Sequence, residues 1–343
     1  MFERLLDLNN LYEACTNSCK NVDWKESVQK YQIYALSNIM ELRQSLIDGT
    51  YRQKPFYEFD LKERGKLRHI KSMHITDRVL QRALCDYVLV PELSKYLIYD
   101  NGASVKGKGI DFTRRRLKKH LCDYYRKYGN TGWVLLIDFS KYFDSIPHDI
   151  LLRKIGEKIK DEKVMDLLRY LITSFEGDKG IGIGSQISQV AGIFYPTELD
   201  NYCKTVKACK YYGRYMDDTY IIHYSRAFLE KLLADYRKIA EKIGIIINNR
   251  KTQILKLEKG FTFLKMKYFI TKTGKIIVIP CSKSITRERQ KLKKLYGLYE
   301  YGIMSREEIA NQYKSWRGNL RKYNAYRSLK STDALYNKLF GRM

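Results

Sequence analysis

The stretch GRYMDDTYIIHY, at residues 213–224, places two adjacent acids, Asp217 and Asp218, inside an aromatic and β-branched run. Neighbouring carboxylates repel each other, and burying them is costly unless a cation compensates their charge. The flanks favour two strands joined by a turn at the acidic pair, so the stretch is predicted to be a hairpin that needs a cation. The competing interpretation is a solvated Asp-Asp turn, which is a common surface feature.

A second strand also ends in an acid. The stretch WVLLIDFSKYFDSI, at residues 133–146, is an apolar strand that stops at Asp138. If this strand lies beside the acidic hairpin in one sheet, three carboxylates converge. Oxygen ligands in that number suit Mg²⁺, which also accepts phosphate oxygens of a substrate. Two such ions about 4 Å apart can assist an in-line displacement at phosphorus, by activating the attacking hydroxyl and stabilising a pyrophosphate leaving group.

The overall charge points to a polyanionic partner. The chain has 343 residues, with 64 Lys and Arg against 38 Asp and Glu, which gives a formal net charge of +26. Such an excess increases self-repulsion in the compact state, and it is plausible when the partner is nucleic acid. A solvated basic surface is the alternative, although the basic residues cluster.

The cysteines and the hydropathy pattern exclude other classes. The seven cysteines lack CxxC spacing and only five histidines are present, so free thiols in a reducing cytosol are predicted rather than a zinc site. No apolar run approaches the roughly 20 residues that a bilayer span needs, and the N-terminus lacks an apolar signal region. We therefore expect a cytoplasmic protein without a membrane partner.

The remaining elements indicate an α+β protein that forms one continuous, multi-lobed body. Residues 1–58 have helical spacing, FDLKERGKLRHIKSM predicts two short strands, and the chain from Cys281 onward is helical, basic and rich in Tyr. A Gly-rich loop at residues 99–110 opens into a basic helix, which fits either a phosphate contact or a simple surface turn.

At this point the motifs resemble those of reverse transcriptases, over roughly residues 60–330. YMDD at 215–218 resembles motif C, and LLIDFSKYFDSI is similar to motif A. The resemblance implies that Asp138, Asp217 and Asp218 are catalytic and bind two Mg²⁺ ions, for which Mn²⁺ can substitute, together with the backbone carbonyl of Phe139. It also implies that Phe143 is a steric gate against a ribose 2′-hydroxyl, although core packing would explain this ring as well.

Further motifs imply nucleotide contacts. NNRKTQI resembles motif D, with Lys251 near the triphosphate, and RGKLRHI resembles a fingers hairpin in which Lys66 and Arg68 bind the triphosphate. Motif B carries Ile183, Gly184, Ser188 and Gln189 in an I-G-x-x-x-S-Q pattern, where most reverse transcriptases have Q-G-x-x-x-S-P. This departure resembles the reverse transcriptases of diversity-generating retroelements, as do HITDRVLQRALCDYVLVPEL and ASVKGKGIDF.

The motif B departure has a predicted consequence for fidelity. Gly184 lets backbone approach the nucleotide, whereas Ile183 cannot make the hydrogen bond that a Gln would make. The loss of that bond relaxes discrimination by about 1 kcal/mol or more. The resemblance implies error-prone copying, chiefly opposite template adenines, in mutagenic retrohoming.

The resemblance also implies a template–primer surface. Lys265 replaces the Gly of a motif E F-L-G sequence and faces either primer phosphate or solvent. The predicted template–primer residues are Ser188, Gln189, Tyr215, Met216, Lys265, Arg287, Arg289, Lys291, Lys293 and Lys294.

The implied architecture is a right-hand polymerase fold with fingers, a palm built on an antiparallel sheet with packed helices, and a short helical thumb. The predicted division is an N-terminal helical extension at 1–58, fingers at 59–128, a palm with interleaved fingers helices at 129–275 and a helical thumb at 276–343.

The predicted function is RNA-directed DNA synthesis on a structured template RNA, for retroelement-driven diversification, in a bacterial or phage-encoded system. The implied partners are the template RNA, its cDNA, deoxynucleoside triphosphates and a small, basic, oligomeric helical-bundle accessory protein. A defence-associated or retron-like reverse transcriptase is the first alternative, and a basic RNA-binding scaffold without activity is the second.

Overall fold

The structure, a computed structural model, describes residues 1–63, 66–175 and 177–341, without the side chains of Glu63, Lys66 and Arg68. Most of these residues are helical, as the periodicity of residues 1–58 and of the C-terminal segment predicts. The helices are α1 (Phe2–Leu6), α2 (Leu8–Cys19), α3 (Glu26–Ile33), α4 (Ala35–Ile47), α5 (Ile75–Leu84), α6 (Val90–Leu93), α7 (Ile110–Tyr128), α8 (Tyr142–Ser145), α9 (His148–Gly156), α10 (Glu162–Thr173), α11 (Gln186–Phe194), α12 (Thr197–Asn201), α13 (Arg226–Lys242), α14 (Ser282–Glu300), α15 (Arg306–Arg321) and α16 (Tyr326–Phe340).

The strands of the described chain form three antiparallel sheets. The central sheet has the order β4-β5-β3-β6, a second sheet is the hairpin β1-β2, and a third has the order β7-β8-β9. The strands are β1 (Tyr57–Glu63), β2 (Lys66–Ser72), β3 (Trp133–Ile137), β4 (Tyr212–Tyr215), β5 (Asp218–His223), β6 (Gln253–Lys256), β7 (Phe261–Phe263), β8 (Met266–Ile270) and β9 (Ile276–Pro280).

Strand β3 lies in the interior of the central sheet, which explains its unbroken apolar sequence. Alternate side chains of a strand point to opposite faces, and both faces are covered here. Leu135 and Ile137 pack into a large core with helices from the N-terminal half of the chain and with α11 and α13. Val134 packs into a second core with α7 and the three-stranded sheet.

The C-terminal helices form a separate small core. Residues of α14, α15 and α16 pack together around Leu292, Tyr313 and Tyr336. The first of these helices begins at Ser282. Strand β9, which lies after the predicted palm–thumb boundary at residue 275, belongs to the three-stranded sheet and not to the helical segment.

Two further expectations concern the cysteines and the membrane. All seven cysteines are free. No helix in the described parts of the chain is long and apolar enough to cross a bilayer.

Candidate active site

The antiparallel register of the central sheet brings the three predicted acids to one edge. Ile137 of β3 pairs with Thr219 of β5, so the next residues at that end of the two strands are Asp138 and Asp218. Tyr215 of β4 pairs with Asp218, which leaves Met216 and Asp217 as the turn of the hairpin. The side-by-side arrangement that the two acid-tipped strands predict is therefore present.

The charges of the three carboxylates interact. Burial, and after it the nearby charges of Asp217 and Asp138, raise the pKa of Asp218 to about 7. A like charge within a few ångströms disfavours ionisation in this way. The site therefore favours a proton or a cation between these groups near neutral pH.

A lysine of the chain supplies one such cation. The Lys251 Nζ lies 2.9 Å from Oδ1 and 2.7 Å from Oδ2 of Asp138. Partial burial lowers the pKa of Lys251, but the hydrogen bond to Asp138 and the negative charges of the three acids together outweigh this effect, so the pKa is raised overall. Asn248 holds this segment in place, because its backbone N–H donates to the Asp138 carbonyl at 2.8 Å and its side-chain amide donates to Oδ1 at 2.9 Å.

The donor chemistry of the three acids fits Mg²⁺, which prefers carboxylate oxygens. In this conformation, however, no group of three or more His, Cys, Asp or Glu side chains among the described residues is arranged to hold a metal ion. Both oxygens of Asp138 instead bind Lys251. A metal at Asp138 would therefore have to displace the Lys251 ammonium. Phe139, whose carbonyl is a predicted ligand, is buried and forms a β-bridge with Ile247.

A buried ion pair supports the turn that carries Asp217. Arg214 and Asp200 are both fully buried, and the Arg214 guanidinium contacts Asp200 through Nε at 2.8 Å and Nη2 at 2.6 Å. The same guanidinium donates through Nη1 to the Met216 carbonyl at 3.0 Å and through Nη2 to the Ile193 carbonyl at 2.8 Å. Met216 itself has a left-handed backbone, with φ of 57°. Arg214 therefore joins the hairpin turn to α11 and α12.

Sequence reasoning missed this ion pair. The signal for Arg214 was the same as for the two acids, namely a charge inside an apolar strand. Its partner Asp200 lies 14 residues earlier in the chain, on a helix, and no spacing rule connects the two. Arg214 has its pKa raised overall, because its contacts with Asp200 outweigh the effect of burial.

Phe143, the predicted steric gate, lies between motif B and the hairpin turn. A Cβ placed on Gly192 of α11 would lie 3.0 Å from the Phe143 ring and 3.5 Å from the Met216 sulfur. The neighbouring Tyr142 donates its hydroxyl to the Gly192 carbonyl at 2.7 Å. The ring is thus held against a residue without a side chain, beside the acidic turn.

The predicted motif B residues surround the start of α11. Ser185 is the N-cap, because its hydroxyl accepts from the backbone N–H of Ser188 at 3.3 Å, and it donates to Gln81 of α5 at 2.7 Å. Ser188 is buried and Gln189 is exposed. Ser188 therefore cannot touch a template in this conformation, whereas Gln189 can.

Gly184, which follows Ile183, faces the β1-β2 hairpin. A Cβ on Gly184, whose φ is +113°, would lie 3.8 Å from the Lys71 carbonyl and 3.9 Å from an Ile70 methyl carbon. Ile183 is half-buried. The side chains of Lys66 and Arg68 on β2 lie outside the described ones, so their predicted contact with a triphosphate stays a prediction.

The predicted template–primer residues lie on several elements. Tyr215 and Met216 are half-buried at the hairpin, and Lys265 is exposed in the turn between β7 and β8, with φ of 65°. The five predicted cations on α14 are exposed, and one of them, Arg289, donates to Ser331 of α16 at 2.8 Å. These five are Arg287, Arg289, Lys291, Lys293 and Lys294.

Comparison with known proteins agrees with this geometry. The family model described as reverse transcriptase (RNA-dependent DNA polymerase) matches residues 60–268. The chain is 25% identical to the YkfC protein of Escherichia coli over 65% of its own length and 69% of that protein. It is 21% identical to the group II intron-encoded protein LtrA of Lactococcus lactis, over 74% of this chain and 40% of LtrA.

Two further similarities extend the comparison. A putative COX1/OXI3 intron 2 protein of Saccharomyces cerevisiae is 25% identical over 49% of this chain, which spans only 20% of that protein. A telomerase structure from Candida albicans superposes with a TM-score of 0.54 at 13% identity, over 72% of this chain and 50% of the telomerase chain. The superposition supports the fold alone.

The predicted α+β right-hand polymerase fold is confirmed. Because the family model covers more than half of the sequence, the chain belongs to the reverse transcriptase family. The RNA-directed DNA polymerases of this family generally depend on a divalent metal, typically Mg²⁺.

Proposed function

We propose that the chain is an RNA-directed DNA polymerase that extends a primer with deoxynucleoside triphosphates on an RNA template. The observation that carries this proposal is the β3-β5 register, which sets Asp138 beside the Asp217–Asp218 turn in a chain of the reverse transcriptase family. The basic surface, with a net charge of +26, suits a template and product that are polyanions.

Each residue of the site has a proposed role. Asp138, Asp217 and Asp218 hold two Mg²⁺ ions with the Phe139 carbonyl, and the bound metal supplies activation of the primer hydroxyl and charge stabilisation at the phosphates. Lys251 moves from Asp138 to the triphosphate when nucleotide binds. Phe143 excludes a ribose 2′-hydroxyl, since its ring is fixed between Gly192 and the Met216 turn.

Primer extension on a defined RNA with Mg²⁺ or Mn²⁺ tests the assignment. The double variant Asp217→Asn/Asp218→Asn should lose synthesis while its RNA affinity stays within about twofold of the wild type, because only metal ligands change. Asp23→Asn/Asp48→Asn, which removes the same charge at exposed positions, serves as the matched control and should retain synthesis. Extension by the Asp217→Asn/Asp218→Asn variant at the wild-type rate would refute the proposal.

We further propose that the enzyme is unfaithful opposite template adenines and serves a diversity-generating retroelement. The support is Ile183 in motif B, which cannot hydrogen-bond a nucleotide, next to Gly184 and the β1-β2 hairpin. Ile183→Gln should lower the adenine error rate of cDNA copied from a defined RNA, with errors at the other template bases as the internal control. An unchanged adenine error rate would contradict the idea.

The intron-encoded relatives favour a second candidate, in which the same polymerase chemistry serves a group II intron-type element. The retron-like or defence-associated element of the sequence analysis shares this chemistry. The DNA that flanks the gene separates the two candidates, because a near-identical repeat that differs only at adenines marks the first. A small basic accessory protein belongs to the first candidate. A cytoplasmic location and the division into extension, fingers, palm and thumb at residues 58, 128 and 275 belong to the proposal in either case.

A further inference from the structure

A small cavity lies where α7 meets the three-stranded sheet and the segment between α15 and α16. Its volume is about 300 Å³, at the lower end of the range of ligand sites. Four cationic side chains line it and only one carboxylate, that of Asp111, does so. The four cations are Arg114, Arg115, Lys118 and Lys322.

Two residues that line the cavity carry buried hydrogen-bond donors that lack acceptors. Tyr268 is fully buried, and its hydroxyl has no partner among the described residues. The Nε of Arg114 is also unpartnered there, although its two Nη groups donate to the Tyr323 hydroxyl at 3.1 Å and the Leu264 carbonyl at 2.6 Å. Asn324 uses its side-chain oxygen to accept from the Val278 N–H at 3.0 Å, so only its NH₂ group remains for a ligand.

The outer wall carries charges that are not compensated. Arg115 and Lys118 are exposed and form no ion pair with any described residue. Lys322 lines the same cavity as Arg115 and pairs with Asp111 at 2.8 Å. The hydrogen bond to Asp111 raises the pKa of Lys322, whereas the nearby Arg115 guanidinium opposes that rise. Like charges held together in this way favour a bound anion.

Other cations on α7 behave differently. Arg116 pairs with Asp100 at 2.5 Å, and Lys119 pairs with Asp123 at 3.0 Å. Arg126 also lies near Asp123, at 3.4 Å. Lys127, near the C-terminal end of the helix, lies over the Tyr128 ring and is exposed. Apart from Lys127, the uncompensated charge on this helix is thus on the side that lines the cavity.

We propose that this cavity is a phosphate-binding site, separate from the acidic edge of the central sheet. A phosphate offers acceptor oxygens to the Arg114 Nε, the Tyr268 hydroxyl and the Asn324 amide, and its charge suits the four cations, since guanidinium and ammonium groups form short, strong hydrogen bonds with phosphate. A metal cation or a neutral apolar ligand would leave the donors unsatisfied.

Two sources can present this chemistry, namely a phosphodiester of a nucleic-acid strand and a free phosphate compound such as pyrophosphate. Both are tested on the full chain without divalent metal, so the result does not depend on polymerase activity. The first arm measures binding of a labelled single-stranded RNA of ten uridines across a range of salt concentrations. The second arm titrates inorganic pyrophosphate by calorimetry.

Two variants remove the cavity's ligands, and one serves as control. Arg115→Ala/Lys118→Ala removes two exposed cations, and Tyr268→Phe removes only the unpartnered hydroxyl, so both should fold as the wild type does. Lys119→Ala/Arg126→Ala removes the same charge from the same helix, away from the cavity.

The expected result is a loss of affinity in at least one arm that the control does not share. If the ligand is a nucleic-acid strand, Arg115→Ala/Lys118→Ala lowers the RNA affinity about threefold to tenfold. The slope of log K against log salt then becomes less steep by about 0.7 for each phosphate contact that is lost. If the ligand is a free phosphate compound, RNA binding is unchanged and the pyrophosphate heat disappears in both cavity variants. The proposal is overturned if both cavity variants match the control in both arms.

Discussion

The buried Arg214–Asp200 pair makes the sharpest prediction, because the chain contains a matched pair at its surface. In both pairs an Arg contacts an Asp through Nε and Nη2 while a Tyr hydroxyl donates to the same Asp. Arg214 and Asp200 have side chains that are 0% exposed, whereas Arg317 and Asp333 are 26% and 22% exposed. Because the Arg and Tyr contacts to the two Asp carboxylates are nearly the same, the two Asp replacements differ chiefly in the burial of the pair.

Asp200→Asn leaves the Arg214 guanidinium buried without a counter-charge. The breaking of a buried pair from one side costs about 3–5 kcal/mol, which is a large part of the 5–15 kcal/mol that stabilises a typical domain. Asp333→Asn should cost about 1 kcal/mol or less, since water can replace the lost charge. Urea unfolding followed by circular dichroism measures both, and the midpoint of Asp200→Asn should fall by about 1–2 M. Equal losses in the two variants would refute this reasoning.

The same pair should matter for catalysis through Met216. Arg214→Lys keeps a positive charge beside Asp200, but one ammonium cannot reach the carboxylate and the carbonyls of both Met216 and Ile193. Loss of the bond to Met216 is expected to lower the rate of primer extension about tenfold, with RNA affinity unchanged and unfolding free energy reduced by about 1–2 kcal/mol. A wild-type rate and an unchanged Mg²⁺ requirement would show that Arg214 serves stability alone.

Three other changes have definite expected outcomes. Lys251→Ala should bind Mn²⁺ more tightly in electron paramagnetic resonance titrations without nucleotide, because the ammonium no longer competes for Asp138, while primer extension slows. Burial lowers the pKa of His120 to about 4, so the unfolded chain takes up a proton at a higher pH than the folded chain does. The free energy of unfolding should therefore fall by up to about 3 kcal/mol as the pH drops from about 6.5 towards 4. Urea titrations of His120→Gln should not show this loss. Gly192→Ala places a methyl 3.0 Å from the Phe143 ring, so primer extension should slow although the unfolding free energy changes by less than about 1 kcal/mol.

The sequence was sufficient for the acidic edge because strand periodicity and charge are local signals. The apolar run that stops at Asp138 and the β-branched flanks of the Asp217–Asp218 turn each indicate a strand end. Each face of β3 is buried in a different core, because Leu135 packs into the first core and Val134 into the second. The sequence of β3 is therefore apolar without interruption. When β3 pairs with β5, the register is fixed by the need to keep the apolar side chains of both strands buried.

The rest of the site depends on contacts between segments distant in sequence. Lys251 was expected near a triphosphate, but the structure also places it on Asp138, 113 residues away, through the β-bridge of Phe139 with Ile247. The cavity beside α7 gathers Tyr268 and Asn324 from a sheet and a loop whose relative positions no periodicity encodes. Such contacts follow from packing, and a spacing rule cannot supply them.

Lys251 gives a partial physical answer to the repulsion between the acids. Its ammonium compensates Asp138, yet Asp218 keeps a raised pKa despite the favourable charge of Lys251. One internal cation is therefore insufficient for three carboxylates, so the acidic edge retains an affinity for further positive charge. A divalent ion satisfies that demand better than a proton does, because it can bind more than one carboxylate, and it frees Lys251 at the same time. The loading of metal and the release of the lysine should therefore be a single coupled event.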